Sequence, residues 1–407
     1  MRDSCQKYYI SDDVLVVHNR YNKNFFAYHR LKRERIELNK DTFWILKMIY
    51  KKRGILVSEI KKYGKDVFKI ICKLKCKGFI THVPTTTLYN IKETKTSFIR
   101  SFVEVTEKCN LKCKHCYGSF GLKKEVFIPI EKLKQFIEEL SKLGIYRFDL
   151  TGGEVMLYPY LEELLEKAYN YGMIVTIFSN LTILPETKLE LLKKYRVKKI
   201  ITSIESMNPN IHDEFRGLKG AFKMTTKNLK RIKDIGIEQH INLVLGKHNI
   251  KTSVDTLRYF REKGYSILID FISEEGRAIN NDLSITEYLN VYKKLSKNIS
   301  DIHIDTQTCG IGKRMFFITA KGDICLCPSL RETPFIFANL SKKFSLKKVL
   351  NQIIKKYSSL CCKEDCPVKD ICNGGCRARA FKNSESLYGP YKPYCAIYKG
   401  KAKDAVC

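Results

Sequence analysis

Cys109-Asn110-Leu111-Lys112-Cys113-Lys114-His115-Cys116-Tyr117 sets three cysteines at gaps of three residues and then two. That spacing lets three thiolates converge from one tight loop on a small iron–sulfur cluster. It supplies three protein ligands for four irons, so one iron is left for a donor that is not protein. A zinc loop is the alternative for such a trio, but zinc prefers paired ligands and four protein donors.

Outward from this loop the chain alternates strands and helices. The pattern predicts strands at Phe102–Thr106, Arg147–Leu150, Val175–Phe178, Lys199–Ile204, Gln239–Leu245 and Ile267–Phe271. Helices fall between them; the first, Ile130–Leu143, is introduced by Pro129 and ended by Gly144. Such alternation implies an α/β fold with a parallel sheet and helices packed outside. Six units predict a partial (β/α)6 barrel of the TIM type. Functional groups then belong at the C-terminal ends of the strands, and the cysteine loop directly follows the first strand.

Polar motifs stand at the next strand ends. Thr151-Gly152-Gly153-Glu154 follows the second strand, Phe178-Ser179-Asn180 ends the third, and Ser203-Ile204-Glu205 ends the fourth. His212-Asp213-Glu214-Phe215-Arg216-Gly217 comes next. Glycines let a backbone approach a ligand closely, and Glu154 offers an acceptor for an ammonium. With the cysteine spacing, these segments resemble the radical S-adenosylmethionine (SAM) enzymes. The resemblance implies a [4Fe-4S] cluster on Cys109, Cys113 and Cys116, its open iron chelated by the amino and carboxylate groups of SAM. It implies that Gly152, Gly153 and Glu154 bind the SAM amino group. Ser179, Asn180, Ser203 and Glu205 would contact the ribose or methionine part. Arg216 would pair with the carboxylate, and Tyr117 would pack against the adenine. In that family a reduced cluster passes an electron to SAM, and the 5′-deoxyadenosyl radical removes a hydrogen atom from substrate. A flavodoxin- or ferredoxin-type reductant is implied as a partner.

Beyond Asp305 the periodicity fades and cysteines take over: ten of the sixteen lie between Cys309 and Cys407. Clustering of this kind favours metal ligation over disulfides. The spacing resembles the SPASM extension, which in radical SAM maturases holds two auxiliary iron–sulfur clusters, three clusters in all with the first. Carried over, Cys309, Cys327 and Cys376 would hold one. Cys325, two residues from Cys327, shares its face if this is a strand and is a further candidate. Cys362, Cys366, Cys372 and Cys395 would hold the other. The family usually leaves two residues in the leading pair; here three separate Cys362 from Cys366 and four separate Cys361 from it. Whether Cys361 or Cys362 ligates stays open. A zinc ribbon is the competing reading, and either metal-organised segment is expected to have little core of its own.

Residues 1–83 read as a separate unit of winged-helix-like α+β outline. Strands are expected at Val14–Val17, Asn24–Tyr28 and Arg35–Leu38. Helices follow at Lys40–Tyr50 with Asn39 as cap, at Val57–Lys62 with Ser58 as cap, and at Asp66–Lys77 ended by Gly78. Residues 84–98 are polar and aperiodic and read as a linker, leaving 99–304 for the radical SAM core and 305–407 for the extension. The order of strands and helices resembles the PqqD-like RiPP recognition element, which docks leader peptides of ribosomally made precursors. The resemblance implies a leader that adds a strand within residues 24–38 and packs on residues 66–77. Lys69, Lys73, Lys75 and Lys77 would suit an acidic leader. A DNA-binding winged helix would put the same lysines on phosphates. Fusion to a radical enzyme favours the peptide, so no nucleic acid partner is expected.

The 407 residues, 44% hydrophobic and 29% charged, are those of a soluble globular chain of several domains. No apolar run reaches membrane-span length and the start lacks a signal pattern, so a cytoplasmic protein without a membrane partner is expected. The net charge of +31 fits either an anionic partner or solvated lysine faces. The expectation is a radical SAM peptide maturase that cross-links a precursor core, most concretely by a thioether from Cys sulfur to carbon. Carbon–carbon or carbon–oxygen cross-linking uses the same parts. A sulfatase-maturase role is disfavoured, because those enzymes place an Asp where Pro328 follows Cys327. An iron–sulfur DNA-binding regulator would leave Gly152-Gly153-Glu154 and Arg216 idle.

Overall fold

The structure, a computed structural model, describes residues 6–87, 90–272, 275–278, 284–298, 309–363, 366, 368, 372 and 374–404. The boundary expected at 304–305 lies outside the described residues.

In the N-terminal unit β1 (Lys7–Ile10) pairs with two short strands, β5 (Ile55–Leu56) and β6 (Ile80–Thr81). An antiparallel meander joins β2 (Val14–Asn19), β3 (Asn24–His29) and β4 (Glu34–Leu38). Helix α1 (Lys40–Lys51) starts at Asn39, whose side chain accepts from Thr42 N at 2.8 Å. Its Phe43, Leu46 and Ile49 pack with Ile71 and Leu74 of α3 (Lys65–Cys76) over Val14, Val16 and Ala27. Between them α2 (Val57–Lys61) is capped by Leu56 and not by Ser58. Pairing of β5 with β1 keeps the backbone extended through Leu56, so the helix starts there and Ser58 falls inside its first turn.

The segment expected to be a linker is part of the sheet. Within it β7 (Ile91–Glu93) pairs in parallel with β2, giving the order β4-β3-β2-β7. Three residues centred on a lysine carry no alternating pattern, which is why the strand was invisible in the sequence. Lys92 is 2% exposed, and its ammonium donates to Ser141 Oγ at 2.5 Å and Tyr171 O at 2.7 Å. Those partners lie in the last turn of α4 (Ile130–Lys142) and at the C-cap of α5 (Leu161–Asn170). A cation there meets the negative ends of two helix dipoles.

Burial, with Arg30 nearby, brings Lys92 down to about 7. The folded value is thus below the unfolded one, so the buried charge costs most below pH 7, and the cost is relieved as pH rises toward about 10.4. Thermal unfolding from pH 7 to pH 10 should show a gain in stability for the native chain that Lys92→Met lacks.

The rest of this interface is apolar and lies at the starts of the central strands. Leu15, Val17, Phe26 and Tyr28 pack on Tyr146, Ile174 and Ile99. Arg30 donates to Tyr169 O at 2.8 Å, and Asp13 pairs with Arg196 at 3.1 Å.

All six expected core strands are present and parallel: β8 (Arg100–Thr106), β9 (Arg147–Gly152), β10 (Ile174–Phe178), β11 (Lys199–Ser203), β12 (Glu238–Leu245) and β13 (Ser266–Phe271). The sheet continues past β8 through parallel β14 (Met315–Ile318) and antiparallel β15 (Asp323–Cys325) and β16 (Ile336–Asn339). Beside it the helix Leu346–Tyr357 buries Leu346, Val349, Leu350, Ile353 and Tyr357 in the same core as Phe316 and Ile318. The C-terminal region therefore has the apolar core that its cysteine-rich sequence did not suggest. Each such side chain contributes about 1.5–3 kcal/mol, and sheet continuity joins that core to the barrel. Among the described residues no helix is long and apolar enough to cross a membrane.

Candidate active site

A cavity of about 250 Å³ opens at the C-terminal ends of the central strands. Cys109, Cys113, Cys116 and Tyr117 line one side of it, and Gly152, Gly153, Ser179, Asn180, Ser203 and Arg216 line the other. Of the twelve residues expected at this site, Glu154 and Glu205 alone stand outside the lining. His115, Asn242 and Arg277 join it without having been expected there.

The two glycines root the cysteine loop on the second strand. Gly152 has φ +135°, and a Cβ there would fall 2.4 Å from Thr106 O. A Cβ on Gly153 would fall 2.3 Å from Lys108 O. The amides of Gly153 and Glu154 donate to these same two carbonyls, at 2.8 and 2.9 Å. Backbone neighbours cannot swing away as a side chain could, so Gly153→Ala should cost about 1–3 kcal/mol in overpacking. SAM affinity, followed by equilibrium dialysis, should fall about tenfold or more, since each 1.36 kcal/mol is tenfold.

Glu154 is fully buried behind the wall. Its carboxylate accepts from Met156 N at 2.9 Å, Ser179 Oγ at 2.7 Å and Asn180 N at 2.8 Å. Burial raises this carboxyl above its ordinary value, and the three donors oppose the rise. In this geometry Glu154 fixes the third strand end, from which Asn180 Nδ2 reaches Asn110 Oδ1 at 3.0 Å and Cys109 Sγ at 3.9 Å.

Glu205 is also fully buried, 3.4 Å from Arg216, 3.4 Å from His248 and 3.9 Å from His115. Burial opposes its charge, but the surrounding His115, His248 and Arg216 outweigh it and hold the carboxyl below the usual range. Phe215 is stacked between His248, at 3.5 Å between ring centres, and His115, at 5.0 Å. The Arg216 guanidinium reaches the cavity already paired with this carboxylate.

Tyr117 leads to a network that sequence reasoning missed. Its hydroxyl donates to Glu104 at 2.9 Å, and Arg331 grips the same carboxylate with two nitrogens at 2.7 and 2.9 Å. Ala320 N adds a fourth donor at 3.1 Å. An acid inside the apolar run Phe102-Val103-Glu104-Val105 was the available signal; nothing local marked Arg331.

A second cavity, about 390 Å³, is lined by Cys309, Cys327 and Cys376 together with Arg100, Arg147, Arg314 and Arg379. Cys325 is absent from this lining. The strand ends at Cys325, whose thiol stays near Cys327, donating to its carbonyl at 3.9 Å, with Arg331 and Glu104 as its nearest charges. Cys372 and Cys395 are raised by burial and by neighbouring thiols, Cys395 and Cys362 for the first, Cys362 and Cys366 for the second. The thiols of Cys362, Cys366, Cys372 and Cys395 are thus neighbours in the fold.

The donor chemistry fits iron–sulfur clusters. Burial pushes the Cys109 thiol up to about 12 and raises Cys113, Cys309 and Cys372. Thiols in such surroundings keep their protons unless a metal replaces them. Among the described residues no group of three His, Cys, Asp or Glu is arranged to hold a single metal ion; the thiols of the first two groups line cavities instead.

This loop at the mouth of a partial barrel defines a SAM-dependent radical enzyme. The Radical SAM superfamily pattern matches residues 103–260, and Streptococcus suis SuiB, of similar fold, has been solved bound to S-adenosylmethionine. The antilisterial bacteriocin subtilosin biosynthesis protein AlbA of Bacillus subtilis is 27% identical over 308 residues, covering 69% of this chain and 68% of that protein. An AdoMet-dependent heme synthase of Methanosarcina barkeri is 25% identical over 345 residues, covering 73% and 96%. The fold is similar to that of Streptococcus suis SuiB, solved bound to precursor peptide SuiA, with a TM-score of 0.66 at 17% identity over 95% of this chain and 99% of that one.

Proposed function

We propose that this chain is a peptide maturase: it docks the leader of a ribosomally made precursor on residues 24–38 and 66–77 of the N-terminal unit and cross-links the core in the barrel. The carrying observation is an N-terminal unit with an open strand edge, fixed to a radical SAM domain. β4 is the edge of its sheet, alternately half-buried and exposed. Ile36 and Leu38 on it, and Val67, Phe68 and Ile70 on α3, are partly buried against the same core, and Lys69, Lys73 and Lys75 of α3 are exposed. An extended acidic segment could pair with the β4 backbone, lay apolar side chains on the half-buried ones and meet the lysines. The similarity to AlbA, named for bacteriocin biosynthesis, and to SuiB, solved with its precursor peptide, supports this reading over a porphyrin or sulfatase substrate.

In this reading Cys109, Cys113 and Cys116 hold the cluster that binds SAM. Cys309, Cys327 and Cys376 hold a second cluster, and Cys362, Cys366, Cys372 and Cys395 a third. A reduced cluster on Cys109, Cys113 and Cys116, with SAM bound, would supply the chemistry for abstracting a hydrogen atom from the peptide. The chain's own residues shape that event. Gly152 and Gly153 root the loop, Glu154 holds Ser179 and Asn180 at the rim, and the Arg216–Glu205 pair presents a fixed cation to the SAM carboxylate. The bond we assign is a thioether from a core cysteine to a carbon: the carbon gives up the abstracted hydrogen atom, the cysteine thiol releases its proton, and the electron left over would pass to a cluster held by the C-terminal cysteines. An acidic flavodoxin or ferredoxin would serve as reductant.

The test is reductive cleavage of SAM to 5′-deoxyadenosine by the reconstituted protein, with mass measurement of a co-expressed precursor. Loss of two hydrogens per cross-link, blocked when core cysteines are replaced, is the expected result. The same loss from a cysteine-free core would mean carbon–carbon or carbon–oxygen bonds. No SAM cleavage would overturn the enzyme reading of the cavity.

A further inference from the structure

Gly276 and Arg277, five and six residues beyond β13, hold the cysteine loop from behind. Arg277 Nε donates to Cys113 O at 2.9 Å, its Nη1 donates to Phe120 O at 2.9 Å, and its backbone N donates to Cys116 O at 3.1 Å. Three carbonyls of one loop are thus gathered by one residue. Gly276 lies so close that a Cβ there would fall 2.2 Å from Cys116 O and 2.6 Å from Tyr117 O. Its φ of +58° also disfavours a side chain. Glu275, nearly buried, forms an ion pair at 2.9 Å with Lys382, on the helix Arg377–Ser384 whose N-cap is Cys376. One short segment therefore touches the loop of the first thiol group and the helix that starts at a cysteine of the second.

The loop needs such support. It lies outside regular secondary structure, and its thiols must be held apart at the width of a cluster with the amides toward the sulfurs. Phe120 N already donates to Cys116 Sγ at 3.4 Å. Because Arg277 also lines the cavity, its permanent charge is beside the thiols as well as behind the backbone. Positive charge and hydrogen bonds near an iron–sulfur cluster stabilise its reduced state and raise its potential.

We infer that Gly276–Arg277 is a clamp for the cluster-binding loop, with Arg277 as a positioning residue that shapes the loop and raises the potential of the cluster on Cys109, Cys113 and Cys116, and with the Glu275–Lys382 pair tying that loop to the C-terminal thiol group. This rests on the assignment of a cluster to those cysteines. The substitution Arg277→Lys keeps the charge and loses the fork; Arg277→Gln loses both.

The experiment is an EPR-monitored redox titration on reconstituted protein in which Cys309, Cys327, Cys362 and Cys372 are alanine, so that the first cluster alone is read. Arg277→Gln should lower its midpoint potential and change its g-values. Arg277→Lys should keep the potential near the parent value with altered g-values, and Glu275→Gln should alter the g-values less than either. A parent without any signal would sink the cluster assignment itself. A parent signal matched in potential and g-values by Arg277→Gln would sink the clamp while leaving that assignment standing. Should the alanine background fail to fold, iron content and SAM affinity of Arg277→Gln and Arg277→Lys in the otherwise native chain replace it. Native iron content and SAM affinity in both would then refute the proposal; loss in Arg277→Gln that Arg277→Lys only partly restores would support it.

Discussion

Cys109→Ala/Cys113→Ala/Cys116→Ala is expected to reduce SAM cleavage to the level of protein-free controls while iron bound elsewhere in the chain remains. Each thiol is a ligand the cavity does not duplicate: no further thiol lines it, and its one imidazole, His115, is held against Phe215 and the buried Glu205. The two C-terminal thiol groups are built on other elements, the β14–β16 hairpin region and the helices after it, whose core is shared with the barrel and not with the loop. Iron content should therefore fall by about one cluster's share and not to zero. Complete loss of iron would mean that the three thiol groups load as one unit.

The second large effect concerns stability. Arg331→Met leaves Glu104 fully buried without its cation, and removing one partner of a buried pair typically costs about 3–5 kcal/mol. Arg331 is itself a fifth exposed and Tyr117 and Ala320 still donate, so the low end, about 3 kcal/mol, is expected. Burial already raises Glu104 above its ordinary value even with Arg331 present. A carboxyl with a raised folded value contributes stability below its unfolded value, near 4.3, and loses it as pH rises through the folded one. Urea unfolding of Arg331→Met should thus show the deficit shrinking as pH falls from 8 to 6, a trend the native chain shows weakly. Glu104→Gln/Arg331→Met should recover much of the loss, because no charge is then stranded. A pH-independent deficit would show that packing of the Arg331 stem, and not the stranded carboxylate, carries the cost.

What could be read beforehand follows from distance along the chain. The six barrel strands are apolar runs whose order and parallel pairing are local consequences of the strand–helix alternation. The cysteine loop and Gly152-Gly153 were legible because chemistry and turn geometry both restrict those positions to few residue types. Glu154 was legible as important, but its partners Ser179 and Asn180 come from the next strand end, so its orientation toward them was not. Glu104 and Arg331 are 227 residues apart, and no spacing rule connects them. β7 failed for the opposite reason: three residues are too few to display a period, and its central Lys92 finds its place only because two helices end around it.

The position of the N-terminal unit has a metric consequence. It packs at the starts of the barrel strands, whereas the SAM cavity lies at their far ends. β8 alone spans seven residues, roughly 20 Å at about 3.3 Å per residue. Because β7 and Lys92 fasten the unit in place, that offset is a fixed length. On the proposed function, a precursor gripped by its leader at β4 would have to cross it with extended chain, at most about 3.6 Å per residue, before its core reached the cavity. The enzyme would then choose its target by counting outward from the leader, as a ruler does. Deleting residues between leader and core should move the modification along the peptide by the same number of places.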